Sequence, residues 1–185
     1  MARAPRAQRE RGGARVGLGP RRRAAPLILY FDTSALVKLV IVEAGAELVA
    51  ELWDTRLRAA SSILCYPEGR AALAAAHRGG RLNATGYGRA REEFDSLQRE
   101  LLLIGMDEPL ARQAGTLAEE LALRGYDAVH LASALALGTD TTLVTFDQDL
   151  RRAAGQRGCA VAPAPYSPEL DSRPAHSTAT CAPRA

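Results

Sequence analysis

The chain has few cysteines, and their spacing excludes the usual cysteine-based frameworks. Its 185 residues contain only Cys65, Cys159 and Cys181, with no CxxC pair. An odd number of cysteines without paired spacing argues against both a disulfide scaffold and a zinc site. Cys65 stands among apolar residues and is expected to fill space in the core rather than to act as a nucleophile. The protein is therefore expected to be cytoplasmic, in a reducing environment.

The chain also lacks a long uninterrupted apolar run. The apolar stretch nearest the amino end, residues 27–42, contains Asp32 and Lys38 and fits neither a secretion signal nor a membrane span. No membrane association is expected. The sequence contains no internal repeat and no GxSxG elbow, so Ser34 is not expected to be a nucleophile.

Positive charge is concentrated at one end of the chain. Residues 1–26 hold eight arginines and one glutamate, whereas residues 27–162 hold 14 basic and 18 acidic side chains. We predict one folded domain over residues 27–162, preceded by a basic, disordered extension and followed by a disordered, Pro- and Ser-rich tail at 163–185. An organellar transit peptide is the alternative interpretation of residues 1–26.

Short apolar runs alternate with amphipathic segments along the predicted domain. Strands are predicted at residues 27–31, 58–62, 101–104, 142–146 and near 159–161. Helices are predicted at residues 33–42, 45–53, 67–77, 83–101, 107–124 and 126–137, with a short one after residue 147. Strands that alternate with helices indicate an α/β fold, a three-layer α/β/α sandwich with a mostly parallel central sheet.

Four acidic residues occupy positions where such a fold forms its sites. Asp32 and Asp147 directly follow predicted strands, and Glu68 and Asp127 stand in the first turns of helices. In parallel sheets, sites form at the carboxyl ends of the strands. Carboxylates gathered there repel one another and call for a cation, for which Mg²⁺ or Mn²⁺ suits oxygen ligands. Metal-dependent cleavage of a phosphodiester is therefore the leading hypothesis.

Each acid also has a simpler interpretation. Asp32 would suit a helix N-cap, in competition with its neighbours Thr33 and Ser34, and the helix dipole alone would favour Glu68 and Asp127. Asp147 and Asp149 could both cap the same helix. We choose Asp147 because it lies nearer the strand end, and we expect Asp149 to be exposed.

Two further side chains near these acids have expected roles. Ser34 is expected either to cap the helix or to orient Asp32 by hydrogen bonding. His130 lies one helical turn after Asp127, among apolar neighbours. We expect this histidine to be buried and hydrogen-bonded rather than to bind a metal.

Two longer motifs make the combination specific. They are DTSALVKL at residues 32–39 and DAVHLASA at residues 127–134, and TFD at residues 145–147 supports them. With these motifs, residues 27–162 resemble the PIN-domain ribonucleases, in particular the VapC-type toxins of bacterial toxin–antitoxin modules.

The resemblance implies an activity, a site and partners. It implies an endoribonuclease that hydrolyses RNA phosphodiester bonds with metal-activated water. The acidic cluster would be Asp32, Glu68, Asp127 and Asp147, with Asp32 and Asp127 as direct ligands of Mg²⁺ or Mn²⁺. It also implies a VapB-type antitoxin partner and a homodimer.

Two features depart from the family pattern. Gly69 follows Glu68 where an apolar helix residue is usual, and it is expected to loosen that helix. Residues 1–26 have no counterpart, since such toxins generally begin close to the first strand.

Lys38, Arg70 and Arg124 are candidates for holding RNA.

Two other functions stay open from the residues alone. One is a metal-dependent nuclease or phosphatase that acts on another phosphoester. The other is a non-catalytic PIN-like module that binds RNA or serves as a scaffold.

Overall fold

The computed structural model describes residues 28–163, which form one parallel sheet between two layers of helices. The strands are β1 (Ile28–Phe31), β2 (Ala59–Ser62), β3 (Leu102–Ile104), β4 (Thr141–Val144) and β5 (Ala160–Ala162). Every described strand pair is parallel, in the order β3-β2-β1-β4-β5. The predicted α/β/α sandwich is confirmed. The predicted extension (1–26), Leu27 and almost all of the predicted tail lie outside the described residues.

The helices follow the predicted order. They are α1 (Thr33–Lys38), α2 (Ala46–Thr55), α3 (Cys65–Arg78), α4 (Ala84–Glu100), α5 (Glu108–Leu121), α6 (Gly125–Ala136) and α7 (Gln148–Gln156). No helix between residues 28 and 163 combines the length and the apolar character needed to cross a membrane.

Several helix boundaries differ from the prediction by a few residues, among them the end of α1, the end of α5 and the start of α3. Helix α1 ends at Lys38 rather than at Val42, and a turn in which the Leu39 N–H donates to the Leu36 carbonyl and the Val40 N–H to the Val37 carbonyl closes it. Its N-cap is Asp32, whose carboxylate accepts the Ala35 N–H. Helix α3 begins before Pro67, since a proline in the first turn removes no N–H that the helix would pair.

The alternation of side chains along β1 separates two apolar cores. Leu29 and Phe31 pack in a cluster with residues of α1 to α4. Tyr30 points to the opposite face and packs with residues of α5, α6 and α7. Strand β1 is thus covered on both faces, as expected for the centre of a parallel sheet.

The strand order places a switch point beside β1. From β1 the chain builds outward through β2 and β3, then returns to add β4 and β5 on the other side. Connections leave in opposite directions from β1 and β4, so a crevice forms beyond the carboxyl ends of these two strands. Asp32 and Asp147 follow the two strands and therefore lie at this crevice.

Candidate active site

Asp32 is held in one orientation by three donors. It is only 4% exposed. The Ser34 hydroxyl donates to Oδ1 at 2.8 Å and to Oδ2 at 3.0 Å, and the Ala35 N–H donates to Oδ1 at 2.8 Å. Thr145 Oγ1 donates to Oδ2 at 2.5 Å. Asp32 is therefore both a helix cap and a fixed, buried carboxylate, and the expectation that Ser34 orients it is confirmed.

Burial makes the charge on Asp32 costly. Desolvation raises the pKa of this carboxyl, although the charge of His130 and the hydrogen bonds from Thr145, Ala35 and Ser34 partly oppose the rise. The side chains that hold Asp32 therefore also reduce the free energy needed to keep it ionised.

Asp127 and Asp147 lie close enough to interact through their charges. Asp127 is half-buried in the first turn of α6. Burial raises its pKa, the negative charge of Asp147 raises it further and that of Asp32 adds a smaller contribution, whereas Arg124 and His130 lower it. The three aspartates thus share one region of negative potential at the carboxyl ends of β1 and β4.

Asp147 combines this role with capping. Its Oδ1 accepts the Leu150 N–H at 2.8 Å at the start of α7, and its own N–H donates to Thr145 Oγ1 at 3.1 Å. Asp149 is exposed and pairs with Arg152 at 3.3 Å. The expectation that Asp149 faces solvent is confirmed.

Glu68 joins the site through two hydrogen bonds to one oxygen. Its Oε2 accepts from Thr33 Oγ1 at 2.5 Å and lies 2.9 Å from His130 Nε2. Burial alone would raise the pKa of Glu68, but the hydrogen bonds from His130 and Thr33 outweigh it and the pKa is lowered. Glu68 therefore reaches the site through Thr33 and His130, whereas the three aspartates interact through their charges.

Helix α3 presents Glu68 from a closely packed position. The helix continues without a break through Gly69, which is buried against the ring of Phe94 in α4. A Cβ at residue 69 would lie 2.1 Å from Phe94 Cζ, far inside van der Waals contact. The glycine that departs from the family pattern thus permits a close approach of α3 and α4.

His130 is buried and satisfied on both ring nitrogens. It is 2% exposed, with Nδ1 2.9 Å from the Tyr30 hydroxyl and Nε2 next to Glu68. The expectation that His130 is buried and hydrogen-bonded is confirmed. The identity of its partners was not predicted, since Tyr30 and Glu68 are 100 and 62 residues away in sequence.

The donor set suits a small divalent ion. Among residues 28–163, no group of three or more His, Cys, Asp or Glu side chains is placed to hold a metal ion. Mg²⁺, however, usually takes only one or two protein carboxylates and keeps several waters. Asp32 and Asp127 would supply that number, and a cation would relieve the repulsion that adds to burial in raising the pKa of Asp127. The residues present therefore fit Mg²⁺ or Mn²⁺.

The basic residues near the site differ in their availability. Lys38 pairs with Glu43 at 2.8 Å and lies 4.6 Å from the centre of the Phe146 ring. Arg70 donates to the Tyr66 hydroxyl at 2.6 Å. Arg124 is exposed, and its charge lowers the pKa of Asp127.

Sequence reasoning missed two supporting residues. Thr145 is fully buried and bridges Asp32 to the Asp147 backbone. Its position, directly after β4 and two residues before Asp147, was a usable signal. Tyr30 was interpreted only as part of an apolar strand, and nothing in the sequence connects it to His130.

Comparison with known proteins places the chain in a family. The PIN domain family model matches residues 29–156. Ribonuclease VapC49 of Mycobacterium tuberculosis is 43% identical over 142 residues, which cover 76% of this chain and 99% of that protein.

Two solved structures share the fold. The crystal structure of PAE2754 from Pyrobaculum aerophilum matches with a TM-score of 0.56 and 24% identity, covering 73% of this chain and 90% of that one. A toxin–antitoxin complex from Klebsiella pneumoniae matches with a TM-score of 0.53 and 21% identity, covering 73% and 96%. From the family match and the VapC relative together, the chain belongs to the PIN-domain family and, within it, to the VapC ribonucleases.

Proposed function

We propose that this protein is a Mg²⁺-dependent endoribonuclease, with Mn²⁺ as an alternative ion, and the toxin of a type II toxin–antitoxin module. The observation that carries the proposal is the placement of Asp32 and Asp147 on the two sides of Thr145 at the sheet edge, with Asp127 near enough that their charges add to burial in raising its pKa. A fold that gathers carboxylates in this way is stabilised by a cation. The similarity to VapC49, a ribonuclease by name, supports RNA as the substrate.

Each acid has a distinct part in the proposed reaction. Asp32 and Asp127 would hold the ion, and Ser34 and Thr145 would fix the Asp32 oxygens in place. When bound, Mg²⁺ would lower the pKa of a water molecule and offset charge that develops on the phosphoryl oxygens. The hydrogen bonds from His130 and Thr33 offset the effect of burial and lower the pKa of Glu68, so it stays ionised and can orient a water or accept its proton.

The partners follow from the relatives. A toxin–antitoxin complex from Klebsiella pneumoniae shares the fold, which supports a VapB-type antitoxin as the partner of this chain. We also propose a homodimer that acts in the cytosol. Because residues 27–162 carry a net charge of −4, RNA would be held locally, by the ion and by side chains such as Arg124.

A non-catalytic PIN-like module is the second candidate. The observation in its favour is that no group of three or more His, Cys, Asp or Glu side chains between residues 28 and 163 is placed to hold a metal ion. Such a module would bind RNA without cleaving it, and its binding would not depend on Mg²⁺.

Cleavage assays with matched variants separate these functions. Purified full-length protein is incubated with single-stranded RNA or DNA, in Mg²⁺ or in chelator. We expect Mg²⁺-dependent RNA cleavage that Asp32→Asn reduces by a factor of about 100 or more, as in losses of electrostatic stabilisation at other active sites. Asp149→Asn, a change of the same chemistry at an exposed acid, should leave the rate unchanged.

The outcomes are distinct. Undiminished Mg²⁺-dependent cleavage by Asp32→Asn would remove Asp32 from the site. Cleavage of DNA but not RNA would favour the other phosphoester substrate. RNA binding without cleavage by the wild type would favour the non-catalytic module.

A further inference from the structure

A line of hydrogen bonds runs from the sheet to Glu68. The Tyr30 hydroxyl on β1 lies 2.9 Å from His130 Nδ1, and His130 Nε2 lies 2.9 Å from Glu68 Oε2. Tyr30 is fully buried and His130 is 2% exposed, so water does not compete for the Tyr30–His130 contact, whereas the Glu68 side chain is 24% exposed. The line joins three elements, β1, α6 and α3, that meet at the acidic cluster.

The chemistry of Glu68 determines where the proton lies between Glu68 and His130. An ionised carboxylate can only accept, so the hydrogen between His130 and Glu68 is on Nε2. In the neutral ring Nδ1 is then an acceptor and the Tyr30 O–H donates to it. In the charged ring Nδ1–H donates to the Tyr30 oxygen instead, and in both states Nε2–H donates to Glu68. Burial raises the pKa of Tyr30, so this hydroxyl keeps its proton at any pH the protein would meet.

Both donors to Glu68 end on the same oxygen. Thr33 Oγ1 donates to Oε2 at 2.5 Å, and His130 Nε2–H donates to Oε2 as well. Among residues 28–163, Oε1 has no hydrogen-bond partner. The side chain is thus anchored by one oxygen and has the other available.

We propose that Tyr30 and His130 are positioning residues that hold Glu68 by Oε2, so that Oε1 is the atom that meets the attacking water. This inference rests on the proposed ribonuclease function and assigns a task to one of its four acids. His130 is suited to the task because its ring is rigid, so the orientation of the ring sets the direction in which Nε2–H donates to Glu68. Tyr30 fixes that orientation from the other side of the ring.

Three variants test the line. His130→Leu removes the donor and is expected to lower kcat about tenfold to a hundredfold with little change in KM, as is typical of groups that orient active-site carboxylates. His130→Gln keeps a side-chain N–H that can reach Oε2 and should recover much of the loss. Tyr30→Phe keeps the ring and should lower kcat by a smaller factor.

A control variant and a double-mutant cycle distinguish a positioning role of His130 from an effect on stability alone. His77→Leu is the matched control, since His77 stacks on Tyr87 and contacts the Leu82 carbonyl at the end of α3. It should lower the melting temperature without changing kcat. In a Glu68→Gln background, His130→Leu should reduce kcat by less than about twofold, because the partner through which it acts is already changed.

Two results would overturn the proposal. One is a loss in the double variant equal to the product of the two single losses. The other is equal activity of His130→Leu and wild type. If the wild type does not cleave RNA, the ribonuclease function fails separately. The line of hydrogen bonds is then tested by the melting temperatures, without metal, of wild type, His130→Leu, Glu68→Gln and the double variant. Non-additive shifts are expected, and additive shifts would refute the proposal.

Discussion

The contact between Gly69 and Phe94 predicts that an alanine at residue 69 destabilises the protein. In an ordinary exposed helix, Gly→Ala stabilises by about 1 kcal/mol, because alanine has the higher helix propensity. At residue 69 the new Cβ would lie 2.1, 2.6 and 2.8 Å from three ring carbons of Phe94. Carbon atoms normally approach to about 3.5–4.0 Å, so the ring or the helix must move by roughly 1.5 Å.

The magnitude follows from how little room the ring has. Phe94 is fully buried in the core formed with α1 to α4, so it cannot turn out to solvent at low cost. Overpacking of this kind costs about 1–3 kcal/mol, which outweighs the propensity gain. We expect a net loss of about 1 kcal/mol in the free energy of unfolding, which is roughly 2–4 °C in melting temperature. The rate of RNA cleavage should fall too, because residue 69 adjoins Glu68.

Chemical denaturation of four variants, Gly69→Ala, Gly115→Ala, Phe94→Leu and the double variant Gly69→Ala/Phe94→Leu, provides the test. Gly115→Ala is the matched control, because Gly115 lies in α5 with no atom within 4 Å of an added Cβ. It should stabilise the protein by about 0.5–1 kcal/mol. Adding Phe94→Leu to Gly69→Ala should cost less than Phe94→Leu costs alone, because the shorter side chain relieves the clash. If Gly69→Ala stabilises as much as Gly115→Ala, the close packing of α3 on α4 is refuted.

Three further predictions concern the charges at the site and at the amino end: the effect of Mg²⁺ on stability, the effect of pH on stability, and the deletion of residues 1–26. Mg²⁺ at 100 times its Kd should stabilise the wild type by about 2.7 kcal/mol, and Asp127→Asn should lose most of that gain yet melt as high as wild type or higher in chelator. Because the folded state raises the pKa of Asp127, metal-free stability should fall as pH rises through that pKa, less steeply in the variant. Deleting residues 1–26 should leave melting and cleavage unchanged; a lower rate with a weaker salt dependence would show that the eight arginines hold RNA.

The order of elements could be predicted because the local signals were strong. The apolar run that includes β1 and the β-branched run that includes β4 are typical of buried parallel strands, and the strands and helices of residues 28–163 were all predicted in their order. The boundaries were less certain where two signals compete. Apolar residues lie on both sides of Lys38, so the apolar periodicity could not show that helix α1 ends there.

The candidate site was predictable in its residues but not in its connections. Strand ends and helix starts suggested the four proposed acids, because sites in parallel sheets form at the carboxyl ends of the strands. Hydrogen bonds between distant residues have no such signal. The bond from Thr145 to Asp32 spans 113 residues, and only the β1–β4 pairing brings the two together. The interactions of Asp127 and Glu68 also differ. Asp127 interacts with the other aspartates through charge, whereas Glu68 is hydrogen-bonded to His130.

Two of the four acids serve the fold and the proposed chemistry at once. Asp32 caps α1 and Asp147 caps α7, each through Oδ1. Alanine at either position would remove a cap worth about 1 kcal/mol together with the charge, so a loss of activity would have two explanations. Asparagine caps helices about as well as aspartate and removes only the charge. At Asp32 the amide N–H₂ must face one of three donors, whereas at Asp147 only Oδ1 accepts a hydrogen bond. Asparagine at Asp147 therefore isolates the charge more cleanly, and Asp32→Asn has to be compared at equal folded fraction.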